Sequence, residues 1–277
     1  MIFGLTGASG LLGTAVARVL QETGHKVLAV RHKNPLPPTC IPVQVSLWDE
    51  EGLTEAWKEV TAILHLAGIL TGSEEEFRRI HVEGTACIAR VSRNLGVRMV
   101  MAGSATIYAQ GEMVRGDESF PKAPADAYGW SKWLAEQELP PQACVLRLPS
   151  LISRAPCAMR ESLCALLRSS IPLPRPENGG VPIELAPVQD VAEAFLLAAL
   201  NPRAQGPYNI SGKESPSFVE IIEAAAAALG ENPNWTSPER VAPDLLRQAT
   251  QSRTLSQRRA KRELGYKPEC DWREVLF

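Results

Sequence analysis

The chain has 277 residues, of which 45% are apolar and 22% charged, with a formal net charge of −2. That is an ordinary globular composition, sufficient for one large domain or two intimate ones. Its near-neutral balance gives no electrostatic footprint for nucleic acid or an anionic membrane, and no apolar run is long enough to span a bilayer.

In chain order, Ile2 to Leu5 reads as a buried strand that runs into Gly7, Gly10 and Gly13. A strand beginning at residue 2 leaves no room for a signal peptide. Leu12, Val16, Val19 and Leu20 then recur at helical spacing. Lys26–Val30 is predicted as a second strand. Val60–His65 is predicted as a third, followed by Leu66, Ala67 and Gly68. A helix over Phe77–Leu95 leads to a strand over Arg98–Ala102, and a helix over Tyr128–Leu139 leads to a strand over Ala143–Leu148. This alternation predicts an α/β fold, a doubly wound parallel sheet with helices on both faces.

Beyond residue 150 the texture changes. Residues 172–182 read as loop, Val188–Leu200 as helix and Pro207–Ile210 as a short strand. Ser217 and Glu220 form a capping box for a helix that ends near Gly230, and an arginine-rich helical stretch follows from Leu245 to Leu264. The six cysteines, Cys40, Cys87, Cys144, Cys157, Cys164 and Cys270, form no C-x-x-C pair. They read as reduced thiols of a cytoplasmic protein, and no metal site is expected.

Two segments carry chemistry. The first is the glycine turn between strand and helix, the setting in which a dinucleotide is held. Gly7 permits a tight turn, Gly10 lets the backbone approach a pyrophosphate, and Gly13 lets helix and strand pack closely. The pyrophosphate then meets the free N–H groups and positive dipole end of the helix. The second segment is Tyr128-Gly129-Trp130-Ser131-Lys132, in which tyrosine and lysine share one helix face. A free phenol titrates near pH ~10, and a neighbouring ammonium is expected to lower it into a range useful for proton transfer. Ser104 stands just past a predicted strand, where its hydroxyl can face the cofactor crevice and orient a substrate carbonyl.

In this order the segments resemble the extended short-chain dehydrogenase/reductase family, of the NAD-dependent epimerase/dehydratase type. Thr6 to Gly13 resembles its cofactor loop, Leu64 to Gly68 its central-strand motif, and His81-Val82-Glu83-Gly84-Thr85 its N-V-x-G-T helix. Ser104 to Tyr108 resembles S-x-x-V-Y, and Tyr128 and Lys132 fall on the catalytic pair. Arg147-Leu148-Pro149, Pro187 to Ala192 and Leu264 to Pro268 match later motifs, so the resemblance spans essentially the whole chain. It implies catalytic roles for Ser104, Tyr128 and Lys132. It implies cofactor contacts for Gly7, Ser9, Gly10, Leu11, Leu12, Gly13, Leu66, Ala67 and Gly68, together with Tyr128 and Lys132.

Three positions depart from the family pattern. His81 stands where asparagine is usual, and Ser46 where an aspartate often meets adenine. Ile183 stands near the place of an arginine that contacts the diphosphate in nucleotide-sugar enzymes, which weakens that substrate reading. The second strand ends in Arg31-His32-Lys33, with no carboxylate to repel a 2′-phosphate. Arg31 and His32 are therefore expected to bind one, which favours NADP over NAD.

The expectation is a Rossmann domain over 1–150 with 186–212 and a smaller, largely C-terminal substrate lobe over 151–185 with 213–277. The expected activity is NADP-dependent reduction of a ketone or 4-keto sugar, or oxidation of the alcohol. A nucleotide-sugar epimerase or dehydratase with retained cofactor is the alternative within enzymes, and a non-catalytic NAD(P)-sensing protein the alternative outside them. The expected partner is a small carbonyl compound or nucleotide sugar, and a homodimer is one candidate assembly.

Overall fold

The computed structural model describes residues 1–169 and 171–277. Its centre is a parallel sheet of seven strands: β1 (Ile2–Thr6), β2 (Lys26–Val30), β3 (Ile41–Val43), β4 (Ala62–His65), β5 (Arg98–Ser104), β6 (Cys144–Leu148) and β7 (Gly206–Asn209). Their spatial order is β3-β2-β1-β4-β5-β6-β7, with β1 hydrogen-bonded to β2 on one side and to β4 on the other. The chain order reverses direction between β1 and β4. In doubly wound sheets the crevice at the carboxyl ends of such a pair is the ligand site.

The central strands are apolar without alternation because helices cover both faces of the sheet. On one face, α1 (Leu11–Glu22) sends Leu12, Val16 and Leu20 against Val191, Phe195 and Ala198 of α6 (Val188–Leu200). On the other, α2 (Glu50–Ala56) and α3 (Gly84–Leu95) bury Leu53, Ile88 and Val91 beside Trp57. Ala135 of α4 (Ala127–Gln137) joins that second core. Fully burying a leucine, isoleucine or phenylalanine contributes about 1.5–3 kcal/mol, so the two cores supply the main driving force.

A third core gathers Ile152 and, from α5 (Ala158–Arg168), Leu163 and Leu167 with Phe218, Ile221 and Ile222 of α7 (Phe218–Leu229), and with Trp272 and Leu276. The capping box at Ser217 is formed, and Gly230 closes α7 at a φ of +68°. Ala260, Leu264 and Tyr266 return to the sheet and pack in its first core.

The structure corrects several boundaries. Strand β3 and helix α2 were not anticipated; β3 has three residues, contains Pro42 and lies at the sheet edge. The third predicted strand is thus the fourth, and begins at Ala62. Residues 245–264 are not one helix. Helix α8 (Pro243–Thr250) ends before a strand over Arg253–Leu255, and helix α9 (Arg258–Leu264) follows. The intervening strand pairs in parallel with Met113–Gly116. Arg253 donates to the carbonyls of Ala109 (2.8 Å), Gly111 (3.1 Å) and Tyr108 (3.3 Å). These partners, more than a hundred residues away, override the helical tendency of the segment.

Among the described residues no helix is long and apolar enough to cross a membrane. All six cysteines are free, and among the described residues no cluster of three or more metal-binding side chains occurs.

Candidate active site

The glycine turn sits at the carboxyl end of β1. Gly7 has a φ of +73°, and a Cβ there would fall 2.6 Å from the carbonyl carbon of Leu66. A Cβ on Gly13 would lie 2.1 Å from the Gly7 oxygen, so both positions exclude any side chain. Gly10 differs. It is exposed and faces only the Gly7 oxygen, at 3.4 Å, which leaves an open approach at the start of α1. No side chain caps that helix. An exposed, uncapped helix N-terminus over an unwalled glycine fits a pyrophosphate. Ser9 is exposed beside it, and Leu11 is partly so.

Thr6 and His65 join β1 to β4 beneath this turn. The Thr6 hydroxyl oxygen accepts from the N–H groups of Leu66 and Ala67, both at 3.1 Å. Its own proton is therefore directed to His65 Nδ1, 2.8 Å away, and His65 Nε2–H donates to the Thr85 hydroxyl at 3.0 Å. Burial, and secondarily the charge of Lys132, holds His65 down at a pKa of about 3, so the ring is neutral. The network fixes Leu66 and Ala67 facing the crevice.

Ser104 is the last residue of β5, which runs two residues beyond the predicted end at Ala102. Its hydroxyl accepts from the Thr106 N–H at 3.2 Å and meets the Thr106 hydroxyl at 2.9 Å. It also opposes the rise that burial imposes on the Tyr128 phenol pKa. Tyr128 lies in the first turn of α4, where Asp126 caps the helix by accepting from Gly129 N–H at 2.7 Å. Lys132 is buried one turn on and donates to the Ala102 carbonyl at 2.6 Å. Burial lowers its pKa to about 8, partly offset by Glu136.

One electrostatic expectation is corrected. Burial pushes the Tyr128 phenol above its ordinary value. The lysine ammonium, turned to a main-chain carbonyl of β5, does not reverse that.

Glu136 in turn forms an ion pair with Arg147 of β6 at 2.8 Å, both side chains 4% exposed. Arg147 also donates to the Tyr108 hydroxyl at 3.0 Å, which donates to Asn209 at 2.6 Å. Helix α4 is thereby tied to β6 and β7.

Arg31, His32 and Lys33 follow β2 as exposed side chains, and among the described residues no carboxylate pairs with Arg31. Ser46 is exposed, and its hydroxyl accepts from Trp48 N–H at 3.3 Å. Ile183 packs against the third core. Sequence reasoning passed over Thr106, Phe77 and Ser131. Thr106 could have been found from its place two residues after Ser104, where hydroxyl side chains commonly close local turns. The other two become visible only through tertiary contacts.

A sequence profile of the NAD-dependent epimerase/dehydratase family matches residues 4–211. This chain belongs to that family. Its extended short-chain dehydrogenase/reductase relatives are NAD(P)-dependent reductases, dehydrogenases and epimerases, and the chain is an enzyme of this class. It is 27% identical to the 3-diazoavenalumate denitrifying reductase of a Streptomyces species, over 98% of both chains. It is 29% identical to the decarboxylating sterol-4-alpha-carboxylate 3-dehydrogenase of Dictyostelium discoideum, over 55% of this chain and 52% of that one. Among solved structures, MoeE5 in complex with UDP-glucuronic acid and NAD has the same fold. Its TM-score is 0.78 at 24% identity, covering all of this chain and 96% of that one. A short-chain dehydrogenase/reductase superfamily protein from Agrobacterium tumefaciens with bound NAD gives a TM-score of 0.81 at 22% identity, covering all of this chain and 95% of that one.

Proposed function

We propose that this enzyme is an NADP-dependent oxidoreductase that reduces a ketone or 4-keto sugar, or in reverse oxidises the corresponding secondary alcohol. The observation that carries the reading is Ser104 at the carboxyl end of β5 with Tyr128 and Lys132 on the helix that Lys132 ties to that strand through the Ala102 carbonyl, beside the uncapped glycine turn.

When bound, the nicotinamide supplies or takes up the hydride. Tyr128, whose burial keeps the phenol protonated at neutral pH, gives its proton to the carbonyl oxygen as the alcohol forms. Ser104 donates its hydroxyl to the same oxygen and orients it. Lys132 holds the nicotinamide ribose and stabilises the phenolate left on Tyr128. The Gly7–Gly13 turn, with the backbone at Ser9, Gly10, Leu11 and Leu12, would hold the pyrophosphate. Leu66, Ala67 and Gly68 would line the opposite wall of the crevice. Arg31 and His32 would hold a 2′-phosphate, Arg31 through charge-assisted hydrogen bonds.

A nucleotide-sugar epimerase would use the same residues. The solved fold neighbour holding UDP-glucuronic acid supports that second reading. Against it, Ile183 offers no cation for a diphosphate and is packed in the lobe. The deciding experiment is a panel of ketones and nucleotide sugars followed by NADPH absorbance. Net consumption of NADPH with a ketone supports the oxidoreductase. Interconversion of sugars by a tightly held, unconsumed cofactor would replace it with the epimerase.

A further inference from the structure

His81 lies in a π-helical stretch, Arg78–Glu83, inserted between a short helix (Glu74–Phe77) and α3. Such insertions concentrate at functional sites. The side chain is buried, 2% exposed. Its Nε2 accepts the Ile69 N–H at 3.1 Å, so this nitrogen carries no proton. Nδ1 therefore does, and donates to the Ser131 hydroxyl at 2.7 Å, which donates onward to the Tyr128 carbonyl at 2.7 Å. Every group in the chain has one role: an Nε2–H would face the Ile69 N–H as a second donor, and a Ser131 hydroxyl turned to Nδ1 would leave two acceptors facing each other at the Tyr128 carbonyl.

The ring also shapes the surroundings of the Tyr128 phenol. It lies edge-on to the Tyr128 ring, with centroids 5.6 Å apart and an interplanar angle of 84°. Phe77 stacks on the imidazole at 5.5 Å and itself meets Tyr128 edge-on at 5.8 Å, so the three rings form a triangle. The loop after β4 closes over the imidazole at Gly68, where a Cβ would come within 3.2 Å of Nε2. None of these bonds reaches the phenol oxygen, so His81 is not a proton carrier for it.

We propose that His81 is the positioning residue of the active site, a neutral imidazole of fixed tautomer that locks the tyrosine-bearing helix to the loop at Leu66–Ile69. A bulky ring with two hydrogen-bonding ends bridges a gap between two elements that both face the crevice. Tyr128 is then held at a set distance from the wall against which the cofactor is proposed to lie. This role presupposes the proposed roles of Tyr128 and of the loop after β4. Burial and the nearby Lys132 charge keep the ring neutral by lowering its pKa to about 3.

Three variants and one spectrum test this. His81→Phe keeps the ring and loses both hydrogen bonds. Its kcat is expected to fall about tenfold or more while KM and NADPH affinity stay within about threefold, because small misplacements of a reacting group cost rate before they cost binding. Ser131→Ala removes only the link to α4 and should lower kcat in the same sense. His81→Asn restores a donor and an acceptor and should recover most of the loss. An unchanged kcat in His81→Phe overturns the proposal. So does a loss matched by an equal loss of cofactor affinity and melting temperature, which would mark a purely structural residue. If His81→Phe does not fold, Ser131→Ala decides. Nitrogen-15 NMR of the wild-type imidazole at neutral pH needs no substrate. A neutral Nδ1–H ring supports the proposal, and a neutral Nε2–H or charged ring refutes it even if the oxidoreductase reading stands. Failure of every substrate with the Nδ1–H tautomer intact would instead count against the oxidoreductase reading.

Discussion

Lys132 donates across 2.6 Å to the main-chain carbonyl of Ala102, two residues before Ser104 on the same strand. The bond joins the two elements that carry the proposed proton donor and the proposed oxygen-orienting hydroxyl. Because burial lowers its pKa to about 8, the ammonium is charged below that value and neutral above it. Reductive kcat/KM is expected to fall as pH rises through about 8. A pH–rate profile that is flat across that point would remove Lys132 from the role. Lys132→Ala should weaken both turnover and cofactor binding, measured by steady-state kinetics and calorimetry.

Tyr128→Phe removes the phenol proton and little else. Turnover should drop by roughly 10²–10⁴, the usual worth of a positioned acid, with cofactor affinity changed by only a few-fold. Near wild-type activity on any substrate found would sink the proposed mechanism.

Cofactor preference can be read without a substrate. NADPH should bind at least tenfold more tightly than NADH, a gap of about 1.4 kcal/mol. One charge-assisted contact from Arg31, contributing about 1.5–3 kcal/mol, is large enough to supply it. Arg31→Asp should reverse the order, and added salt should shrink the preference because Arg31 is exposed. Equal affinities in calorimetry would reduce Arg31, His32 and Lys33 to a solvated turn.

Two buried neutral histidines make the fold acid-sensitive. His65 and His81 are both lowered from 6.5 to about 3. Their folded values lie below the unfolded one, so the unfolded chain binds more protons between these limits. The associated stability is fully present above about pH 6.5 and is lost as pH falls toward 3. With both sites contributing, the slope reaches as much as about 2.7 kcal/mol per pH unit. Urea unfolding at pH 7 and pH 5 checks this, and His81→Asn should reduce the difference.

The Glu136–Arg147 pair is buried on both sides. Removing one partner leaves an uncompensated charge, so Arg147→Met or Glu136→Gln should destabilise the protein by about 3–5 kcal/mol. Denaturant midpoints test it, and a loss no larger than that of an exposed pair such as Lys58–Glu55 would contradict it.

The glycine turn, the Tyr128/Lys132 spacing and Ser104 were legible in the sequence because each is a local pattern with a direct backbone or helix-face meaning. Strand β2 and helix α6 were placed to the residue for the same reason. Strand β3 was not, since three residues containing a proline carry no period to read. The strand at Arg253–Leu255 was hidden because its partner lies at Met113–Gly116. His81 could be seen as a departure from the family pattern. Its bonds to Ile69 and Ser131 could not, because they depend on how two helical elements meet. The lowered phenol pKa expected from spacing alone failed for a related reason: spacing gives proximity, whereas burial is set by the rest of the fold.

The three carbonyl bonds of Arg253 have a consequence for how the enzyme comes into being during synthesis. The segment over Tyr108–Gly111 leaves the ribosome long before residue 253, yet these anchors cannot form until that arginine arrives. All seven strands of the parallel sheet have been made once Asn209 is added, while this loop is still unfastened. Ordering of the region next to Ser104 is thus deferred until residue 253 has been made, and a chain cut short before it would carry a formed glycine turn beside an unfastened loop.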